Sequence, residues 1–520
     1  MDLVFLCIAV GLFAVAYWGV MRYNLHMFQL NGYKNKEHSR WLGKNFKNQL
    51  ILWCGVVPGF LLCLHGVNIW GAISIYLVLV GYIVYYFSLR RKNVKKKLVF
   101  TMRVRRLIVT NVIINLLALV GGVFTGRCVY LVMMLLLLLQ PWLMILVNII
   151  NSPVEKSINQ GYINDAKKIL AGMPDLKIIG VTGSYGKTSV KYYLQTLLKS
   201  QYNVLVTPAS YNTPMGVVKT IREELKPIHE IFVCEMGARN IGDIKELCDI
   251  VHPQYGVITS IGPQHLETFL NMDNITNTKF ELADALPDYG IIFLNGDNDY
   301  IQKKSSQYKN VVFYSTKAGK GNYYSDNVKV SQNGTEFDLV TPDGSRESFR
   351  MQLVGNHNVI NVAGAIAIAH SMGIELSALK MAVRKIQPVA HRMQLIEKGG
   401  VTIIDDAYNS NPIGSKAAVE TLAMFDGERI LITPGMVELG AEEARFNYEF
   451  GTYAAKSCDY IALVGKKHTE PIAKGIKDSG FDMNKCKSFD RLEEALAYAY
   501  SIPSGKRKYI LLENDLPDNY

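Results

Sequence analysis

The sequence of 520 residues predicts an α-helical membrane domain followed by two α/β domains. Apolar stretches of membrane-spanning length crowd the first 150 residues, and the basic excess of the chain lies in the same region. From residue 177 onward, apolar strands alternate with amphipathic helices, which is typical of parallel α/β sheets. We place the membrane domain at 1–150, a polar, partly helical linker at 151–176, and the two α/β domains at 177–388 and 389–520.

The membrane domain is predicted from five stretches that approach the roughly 20 apolar residues needed to cross a bilayer. None has Asp, Glu, Lys or Arg in its interior, and they cover 3–21, 49–66, 68–89, 107–125 and 129–150. One such stretch alone is compatible with a buried core helix, but five within 150 residues are typical of a membrane protein. We therefore expect five transmembrane helices in contact with a lipid bilayer.

The basic excess indicates which side of the membrane the loops face. The net charge is +11, but residues 1–150 hold 16 Lys or Arg against 2 Asp or Glu, so the remainder is slightly acidic. This distribution argues against a nucleic-acid partner. The cations cluster in 22–48 and 90–106, and such loops face the cytoplasm. With five spans in the cell membrane, the N-terminus is then outside and the α/β domains are cytoplasmic.

The strongest chemical signal is a glycine-rich loop between a strand and a helix, Thr182-Gly-Ser-Tyr-Gly-Lys-Thr-Ser189. Glycines let successive backbone N–H groups approach phosphate oxygens, and the start of the helix adds positive potential. The alternative is a fortuitous glycine turn in a surface loop. We expect the Thr188 hydroxyl to ligate Mg²⁺. The expected ATP contacts in this loop are Gly183, Ser184, Tyr185, Gly186, Lys187, Thr188 and Ser189.

Further motifs follow this loop along the chain. They are Tyr211–Gly216, Glu235–Ala238, Ile258–Glu267, Thr278–Glu281, Gly355–Asn361, Asp405–Pro412 and Gly435–Gly440. With the loop, and with Arg392 at the entry to the last domain, they resemble the Mur ligases, the ATP-dependent amide-forming enzymes of peptidoglycan precursor synthesis. The last two motifs look most like the MurF branch, which adds D-alanyl-D-alanine to a muramyl tripeptide.

The resemblance implies ATP and Mg²⁺ as cofactors, a P-loop ATPase-like central domain and a Rossmann-like C-terminal domain. It assigns catalytic roles to Lys187, His265 and Lys279, and the lysine in the position of Lys279 is often carbamylated in the family. The implied metal ligands are Thr188, Glu235 and His265. The implied ATP contacts outside the loop are Asn358, Arg392, Asp406, Tyr408 and Asn409.

Four of these residues have structural alternatives. Glu235 would otherwise be a solvated acid, and His265 a hydrogen-bonded structural residue. Lys279 would be a surface lysine paired with Glu281. Asn358 would be the N-cap of the following helix, a role that does not exclude adenine binding.

The implied reaction is a ligation through an acyl phosphate, with a carboxylate acceptor and an amino-acid or dipeptide amine. Two regions depart from the family. The 26 residues of 151–176 leave no room for the UDP-binding domain with which members begin, and Leu511–Tyr520 replaces a Lys-Gly-Ser-Arg type segment. We hypothesise that the membrane domain presents a lipid-linked acceptor in place of a UDP-linked envelope precursor. The alternative is that it only tethers the enzyme.

Three other functions compete with this interpretation. A polyglutamate-forming ligase shares the reaction type. A membrane transporter or ATPase would use the same phosphate loop, but the apolar stretches lack the interior charged residues that mark a transport path. A non-catalytic nucleotide-binding scaffold is disfavoured because the expected catalytic and metal-binding residues are all present together.

Overall fold

The computed structural model describes residues 3–46, 57, 69–89, 96–124, 129–209, 211–331, 333–408, 410–466 and 468–515. The chain forms two compact units, which we call the helical unit and the ligase unit. The helical unit contains Met1–Gly161, and the ligase unit is Tyr162–Leu516.

The helical unit consists of apolar helices and one short amphipathic helix. Its helices are α1 (Leu3–Leu30), α2 (Asn35–Lys44), α3 (Ile69–Val84, continued by a π-helical turn at Tyr85–Leu89), α4 (Met102–Phe124) and α5 (Val129–Ala171). Among the described residues, three helices are long and apolar enough to cross a membrane, Leu6–Leu30, Met102–Phe124 and Val129–Ala171. A shorter apolar helix covers Ile75–Phe87. The predicted span 49–66 lies outside the described residues, apart from Val57.

Two helices are longer than the apolar stretches that predicted them. Helix α1 continues past residue 21 to Leu30, and α5 runs through the predicted linker without a break as far as Ala171. Pro153 lies inside α5 and removes one backbone donor, yet the helix continues beyond it. The end of α5 belongs to the ligase unit, where Ala166 is fully buried against an apolar core.

Buried amides connect the helices of the helical unit. The Asn24 side chain donates to Gln140 Oε1 at 2.6 Å, which joins α1 to α5. Tyr17 donates to Asn111 Oδ1 at 2.9 Å, and Asn115 donates to the Tyr17 hydroxyl at 3.0 Å, which joins α1 to α4. These polar groups bond mainly to one another, as expected for polar side chains between apolar helices, and Asn24 Oδ1, Asn115 Oδ1 and Gln140 Nε2 have no partner among the described residues.

The ligase unit contains a nine-stranded sheet in the order β2-β3-β1-β4-β5-β6-β7-β8-β9. The pairs from β2 to β7 are parallel, and β8 and β9 extend the edge as antiparallel strands. The strands are β1 (Lys177–Thr182), β2 (Val204–Val206), β3 (Ile231–Glu235), β4 (Tyr255–Ile258), β5 (Ile291–Asn295), β6 (Val311–Ser315), β7 (Tyr323–Ser331), β8 (Gly334–Val340) and β9 (Arg346–Met351). Strands β1 and β3 are almost wholly buried because helices cover the sheet.

The helices of this first sheet follow its strands along the chain. They are α6 (Lys187–Leu198), α7 (Pro214–Glu224), α8 (Asp243–Val251), α9 (Leu266–Phe269), α10 (Met272–Asp284), α11 (Asp299–Ser305), α12 (Asn356–Ser371) and α13 (Leu376–Val383). Helix α12 is buried along most of its length and shares a core with α6, including Val362 and Leu194. The start of α6 is thereby fixed at the carboxyl end of β1, where the glycine-rich loop lies.

A second sheet of six strands has the order β10-β11-β15-β12-β13-β14. All pairs are parallel except that of the edge strand β10 with β11. Its strands are β10 (Gln394–Lys398), β11 (Val401–Asp406), β12 (Glu428–Thr433), β13 (Tyr460–Val464), β14 (Cys486–Phe489) and β15 (Lys508–Glu513). Its helices are α14 (Pro412–Leu422), α15 (Glu443–Ser457), α16 (Glu470–Asp478) and α17 (Leu492–Ser501).

Apolar runs predict eight strands, and all are present with ends that differ by up to three residues. The predicted ranges are 177–182, 230–235, 255–261, 290–295, 401–405, 429–433, 459–464 and 508–513. The sequence pattern missed the short strand β2, the partly exposed strand β6, the extension β7–β9 and the edge strands β10 and β14. Strands β7, β9 and β10 are partly exposed and carry charged residues such as Lys329, Arg350 and Glu397. Because their outer faces are polar, they do not form the continuous apolar runs that mark central parallel strands.

Candidate functional site

The glycine-rich loop connects the end of β1 to the start of α6, as the sequence predicts. Gly183 has φ 146° and Gly186 has φ 81°, a range that side chains with a Cβ atom rarely adopt. A Cβ atom at Gly183 would lie 2.1 Å from Thr259 Oγ1, so this glycine is required by space as well as by conformation. Gly186 is the N-cap of α6, and Lys187 is the first helical residue.

Hydrogen bonds hold this loop against the end of β4. The Ser184 N–H donates to Ser260 O at 2.6 Å, and its hydroxyl donates to Gly262 O at 3.0 Å. The Tyr185 hydroxyl donates to Pro263 O at 2.5 Å. These bonds hold the loop backbone in place at the start of α6. Backbone N–H groups at the start of a helix bind phosphate.

Lys187 bends back over the loop that precedes it. Its Nζ donates to Gly183 O at 2.7 Å and to Ser184 O at 3.0 Å. Burial lowers its pKa to about 8, an effect that the nearby Glu235 partly opposes. The ammonium group thus lies beside the backbone that would hold phosphate oxygens, where a terminal phosphate would compensate its charge.

Oxygen ligands meet between the start of α6 and the end of β3. Thr188 Oγ1 donates to Glu235 Oε1 at 3.1 Å, and Asn212 Nδ2 donates to the same oxygen at 3.2 Å. Glu235 is 1% exposed, so the alternative of a solvated acid is wrong. The predicted metal ligands Thr188 and Glu235 are therefore adjacent.

A residue that the sequence reasoning missed compensates the charge of Glu235. Lys191 is fully buried, and its Nζ lies 3.0 Å from Glu235 Oε2 and 2.6 Å from Ala209 O. Glu235 Oε2 nonetheless has no partner that meets hydrogen-bond geometry among the described residues, so the contact is ionic. The sequence did contain a signal for this residue. Lys191 lies one helical turn after Lys187, on the face of α6 that points into the domain.

This donor set fits Mg²⁺. Within the described parts of the chain, no three His, Cys, Asp or Glu side chains converge on one point, which argues against a closed metal cage. Mg²⁺ instead takes one or two carboxylates, keeps several waters and shares phosphate oxygens with the substrate. The Thr188 hydroxyl and the incompletely partnered carboxylate of Glu235 suit that mode of binding.

His265 follows β4 and has a partner in the C-terminal part of the chain. Its Nδ1 contacts Glu438 Oε2 of the Gly435–Gly440 motif. Burial lowers the pKa of His265, and the Glu438 carboxylate partly opposes that effect. The second nitrogen of the imidazole is then the one left to act toward a metal ion or a phosphate.

Lys279 is a buried amine. Its side chain is 2% exposed and its Nζ lies 5.9 Å from the centre of the Phe269 ring. In the described residues its ammonium group has no hydrogen bond or ion pair, and Glu281 accepts instead from the backbone N–H groups of Gly242 and Lys245. The alternative of a surface lysine paired with Glu281 is therefore wrong. Burial and the nearby Lys187 lower its pKa well below the usual range.

A cavity of about 340 Å³ joins the loop to the C-terminal domain. It brings together Tyr185, Gly186, Ser189, Asn358, Arg392 and Asp406 from the predicted ATP contacts. Thr188 and Tyr408 instead line a neighbouring cavity of about 530 Å³, and Arg392 lines both. The Arg392 guanidinium lies 4.5 Å from the centre of the Tyr408 ring. Asn409 lies outside the described residues.

Asn358 is held by two hydrogen bonds at the edge of this cavity. Its Oδ1 accepts from the Tyr193 hydroxyl at 2.8 Å, and its Nδ2 donates to Val354 O at 3.0 Å. Helix α12 begins at Asn356 with Gly355 as its N-cap, so the alternative that Asn358 caps the helix is wrong. One N–H of the amide and one lone pair remain for a base.

Two carboxyl groups face each other at the ends of β11 and β15. Asp406 pairs in register with Glu513, and both line the 340 Å³ cavity. Glu513 Oε1 accepts from the Ser410 hydroxyl at 2.6 Å, while Oε2 has no partner in the described chain. Burial raises the pKa of Glu513 to about 8 and that of Asp406 to about 6. Sequence reasoning noted the departure around Glu513 without assigning it to the cleft.

Comparisons with known proteins agree with this arrangement. Residues 181–369 match the Mur ligase middle domain, and residues 391–512 match the Mur ligase, glutamate ligase domain. The chain is 33% identical over 307 residues to the UDP-N-acetylmuramoyl-tripeptide–D-alanyl-D-alanine ligase of Escherichia coli (strain K12), covering 58% of this chain and 67% of that protein. For the enzyme of the same name from Bacillus subtilis (strain 168), the identity is 32% over 295 residues, covering 56% of this chain and 63% of that protein.

Solved structures give the same result. MurF from Acinetobacter baumannii superposes with a TM-score of 0.63 at 25% identity, covering 69% of this chain and 77% of that one. MurF from Thermotoga maritima in complex with ADP has a TM-score of 0.62 at 25% identity, covering 69% of this chain and 80% of that one. The fold extends to a folylpolyglutamate synthase of Mycobacterium tuberculosis, with a TM-score of 0.53 at 16% identity over 69% of this chain and 94% of that one.

The predicted resemblance is thus confirmed for the two α/β domains. The phosphate loop, the oxygen ligands beside it and the matched regions occur together in the ligase unit. The chain belongs to the Mur ligase family, and it is a MurF-like ligase that uses ATP and Mg²⁺ and forms ADP.

Proposed function

We propose that this ligase joins the peptide carboxylate of a cell-envelope precursor to the amine of a dipeptide, as the names of its relatives describe for a UDP-linked muramyl tripeptide and D-alanyl-D-alanine. One observation carries the proposal. Lys187 and Glu235 lie at the carboxyl ends of the adjacent strands β1 and β3, and Lys279 lies in helix α10, which packs on the same sheet. Ligands of open α/β sheets bind at this edge.

In the first step, an oxygen of the acceptor carboxylate attacks the γ-phosphorus of ATP. A new O–P bond forms, the bond to the bridging oxygen breaks, and ADP leaves. Lys187 and the backbone N–H groups of the loop balance the negative charge on the phosphoryl group during the transfer. Thr188 and Glu235 would hold Mg²⁺, which supplies further charge neutralisation at the phosphates.

Lys279 supports the same site if it becomes a carbamate. A neutral amine forms an N–C bond with CO₂ and releases one proton, so carbamylation requires the unprotonated lysine. Burial without an anionic partner lowers the pKa of Lys279 and favours that form. The product would be a buried anion on α10, whose oxygens suit Mg²⁺ better than the nitrogen of the uncharged lysine does.

In the second step, the amine attacks the carbonyl carbon of the acyl phosphate. An amide bond forms, phosphate leaves, and the nitrogen loses a proton. The acyl phosphate must be protected from water until then. Arg392, Asp406 and Tyr408 come from the domain that follows residue 388, and they line cavities together with residues of the phosphate loop and α6. We assign them to the closure of that domain over ATP.

The proposal is tested with the full chain purified in detergent. It is incubated with ATP, Mg²⁺, a UDP-linked muramyl tripeptide and D-alanyl-D-alanine, and the products are measured by mass spectrometry. We expect the amide product together with ADP. Replacing the dipeptide with glutamate tests the polyglutamate alternative, and an efficient reaction with glutamate alone would contradict the MurF-like assignment.

We further propose that the helical unit inserts in the cell membrane as a multi-pass domain with the ligase unit in the cytoplasm, where it receives a lipid-linked acceptor. Three apolar helices of sufficient length support the insertion. Arg105, which is exposed at the start of α4, supports an anionic headgroup. Arg106 is instead neutralised by Glu155 at 2.6 Å.

The acceptor proposal is tested by offering lipid-linked and UDP-linked muramyl tripeptides side by side, both to the full chain and to a 151–520 fragment. We expect the full chain to prefer the lipid-linked form. Equal rates of the full chain with both acceptors would indicate that the helices only tether the enzyme.

A further inference from the structure

A glutamate of the C-terminal domain reaches the histidine of the central domain. Glu438 lies between β12 and α15, and its Oε2 contacts His265 Nδ1. Its other oxygen, Oε1, lies 3.5 Å from the Arg239 guanidinium, which follows the end of β3. The carboxylate therefore joins two loops of the first sheet from the side of the second sheet.

The backbone on both sides of this contact is unusual. His265 has φ 51° and Glu438 has φ 64°, although neither residue is a glycine. Residues other than glycine usually avoid this left-handed region, and the exceptions concentrate at functional sites. Next to Glu438, a Cβ atom at Gly440 would lie 3.6 Å from Glu267 N, so the two loops pack closely.

The neighbouring loop is fixed independently of Glu438. The Thr268 hydroxyl donates to Arg239 O at 2.5 Å, and Asn274 Nδ2 donates to Phe269 O at 2.8 Å. Hydrogen bonds within the central domain therefore hold the backbone around His265. The orientation of its imidazole ring is the feature that depends on Glu438.

We propose that Glu438 is a positioning residue that orients His265 for the metal and phosphate site only when the C-terminal domain has docked. A carboxylate that accepts from one imidazole nitrogen fixes the tautomer and directs the other nitrogen toward a metal ion. Here that carboxylate belongs to the closing domain. Docking of the domain is thereby coupled to assembly of the site, so that ATP is activated in the closed arrangement.

The proposal rests on the assignment of this site to ATP and Mg²⁺. Its test distinguishes a failure of the positioning role from a failure of that assignment. Calorimetry measures the binding of ADP to the full chain as the Mg²⁺ concentration is varied. We expect Glu438→Gln to require about 10-fold to 100-fold more Mg²⁺ than the wild type for the same ADP affinity. ADP affinity at saturating Mg²⁺ should change little, and the thermal unfolding midpoint should stay close to that of the wild type.

Glu442→Gln is the matched control, because Glu442 is an exposed glutamate two residues beyond the motif that pairs with Arg445. It should bind ADP with the Mg²⁺ dependence of the wild type. If Glu438→Gln also behaves as the wild type, the positioning role is wrong. If instead the wild type itself shows no Mg²⁺-dependent ADP binding, the assignment of the site fails.

Discussion

The two units of this protein bury polar groups of different kinds. In the helical unit, the polar side chains buried between the apolar helices include the amides Asn24, Asn111, Asn115 and Gln140. In the ligase unit, the fully buried polar groups include the ionisable side chains of Lys191, Glu235, Lys279 and Glu513. The amides bond mainly to one another but leave Asn24 Oδ1, Asn115 Oδ1 and Gln140 Nε2 without a partner in the described chain, as Glu235 Oε2 and Glu513 Oε2 are in the ligase unit. The units therefore differ in the charge of these buried groups, which are neutral amides in one and ionisable side chains in the other.

This difference reflects the cost of burying charge. An amide in an apolar environment needs only hydrogen bonds, but an ionised group needs a counter-charge or shifts its pKa toward the neutral form. A buried charge without full compensation is therefore costly, and it is a candidate position for a ligand that completes it. The amides hold the helices together, and the ionisable groups are available for phosphate, metal and substrate.

The largest expected effect comes from removing the lysine of the phosphate loop. Lys187→Ala should lower ATP turnover by roughly a thousandfold, because the charge of the transferring phosphoryl group loses its main cation. ADP formation is measured with the full chain, and circular dichroism checks that the fold is retained. Ligase activity equal to that of the wild type would refute the assignment of the loop.

The second effect concerns the buried amine. Lys279→Met should lower ligase activity by about a hundredfold, in the range of an essential charged group of an active site. Lys245→Met is the control, since Lys245 is an exposed lysine that pairs with Asp249 at 2.9 Å. Mass spectrometry of the intact wild-type chain near neutral pH should show one added CO₂ that Lys279→Met lacks. An unchanged rate of Lys279→Met would remove this residue from the site.

The third effect is a pH dependence of stability. Because the pKa of Glu513 is about 8 in the folded chain, its protonation stabilises the fold at low pH, and that contribution is lost as the pH rises toward 8. The free energy of unfolding should fall by up to about 5 kcal/mol between pH 4.5 and 8. Glu513→Gln should remove the part of this decrease above about pH 6 and leave the smaller part that comes from Asp406. Glu420→Gln, at an exposed position, should retain the whole decrease. The measurement is denaturant unfolding at several pH values.

The smallest effect is expected in the helical unit. Asn24→Leu removes the bond to Gln140 and should destabilise the packing of α1 and α5 by about 1–2 kcal/mol. Thermal unfolding in detergent measures this loss, and the maximal rate of ligation should remain that of the wild type. A large loss of maximal rate with unchanged stability would mean that these amides, too, serve the reaction.

The sequence predicted the parts of the site that lie on short motifs. The phosphate loop was predicted from its glycine spacing between a strand and a helix, whereas Glu235 and Lys279 were predicted from motifs that resemble the family. Lys191, Glu438 and Glu513 were missed or left without a role. Each acts through a contact with a residue at least 44 positions away, and such contacts depend on how strands and domains are arranged.

The same reasoning explains the fold. Most central parallel strands were found because both faces are apolar, whereas β6, which is partly exposed, and β7–β9, whose outer face carries charge, were missed. The linker at 151–176 was read from its polar composition. It was predicted to be partly helical, and residues up to Ala171 continue helix α5, because an exposed helix needs few apolar residues once its ends are held.

The central claim is that the ionisable groups buried in the ligase unit activate a carboxylate by phosphorylation. Its most direct test uses an acceptor whose reacting carboxylate is labelled with ¹⁸O, incubated with the full chain, ATP, Mg²⁺ and the amine. An acyl phosphate passes one carboxylate oxygen to phosphate, so we predict that the inorganic phosphate carries one ¹⁸O atom and that ADP accumulates with the amide. Unlabelled phosphate, or AMP that carries the label, would contradict the account.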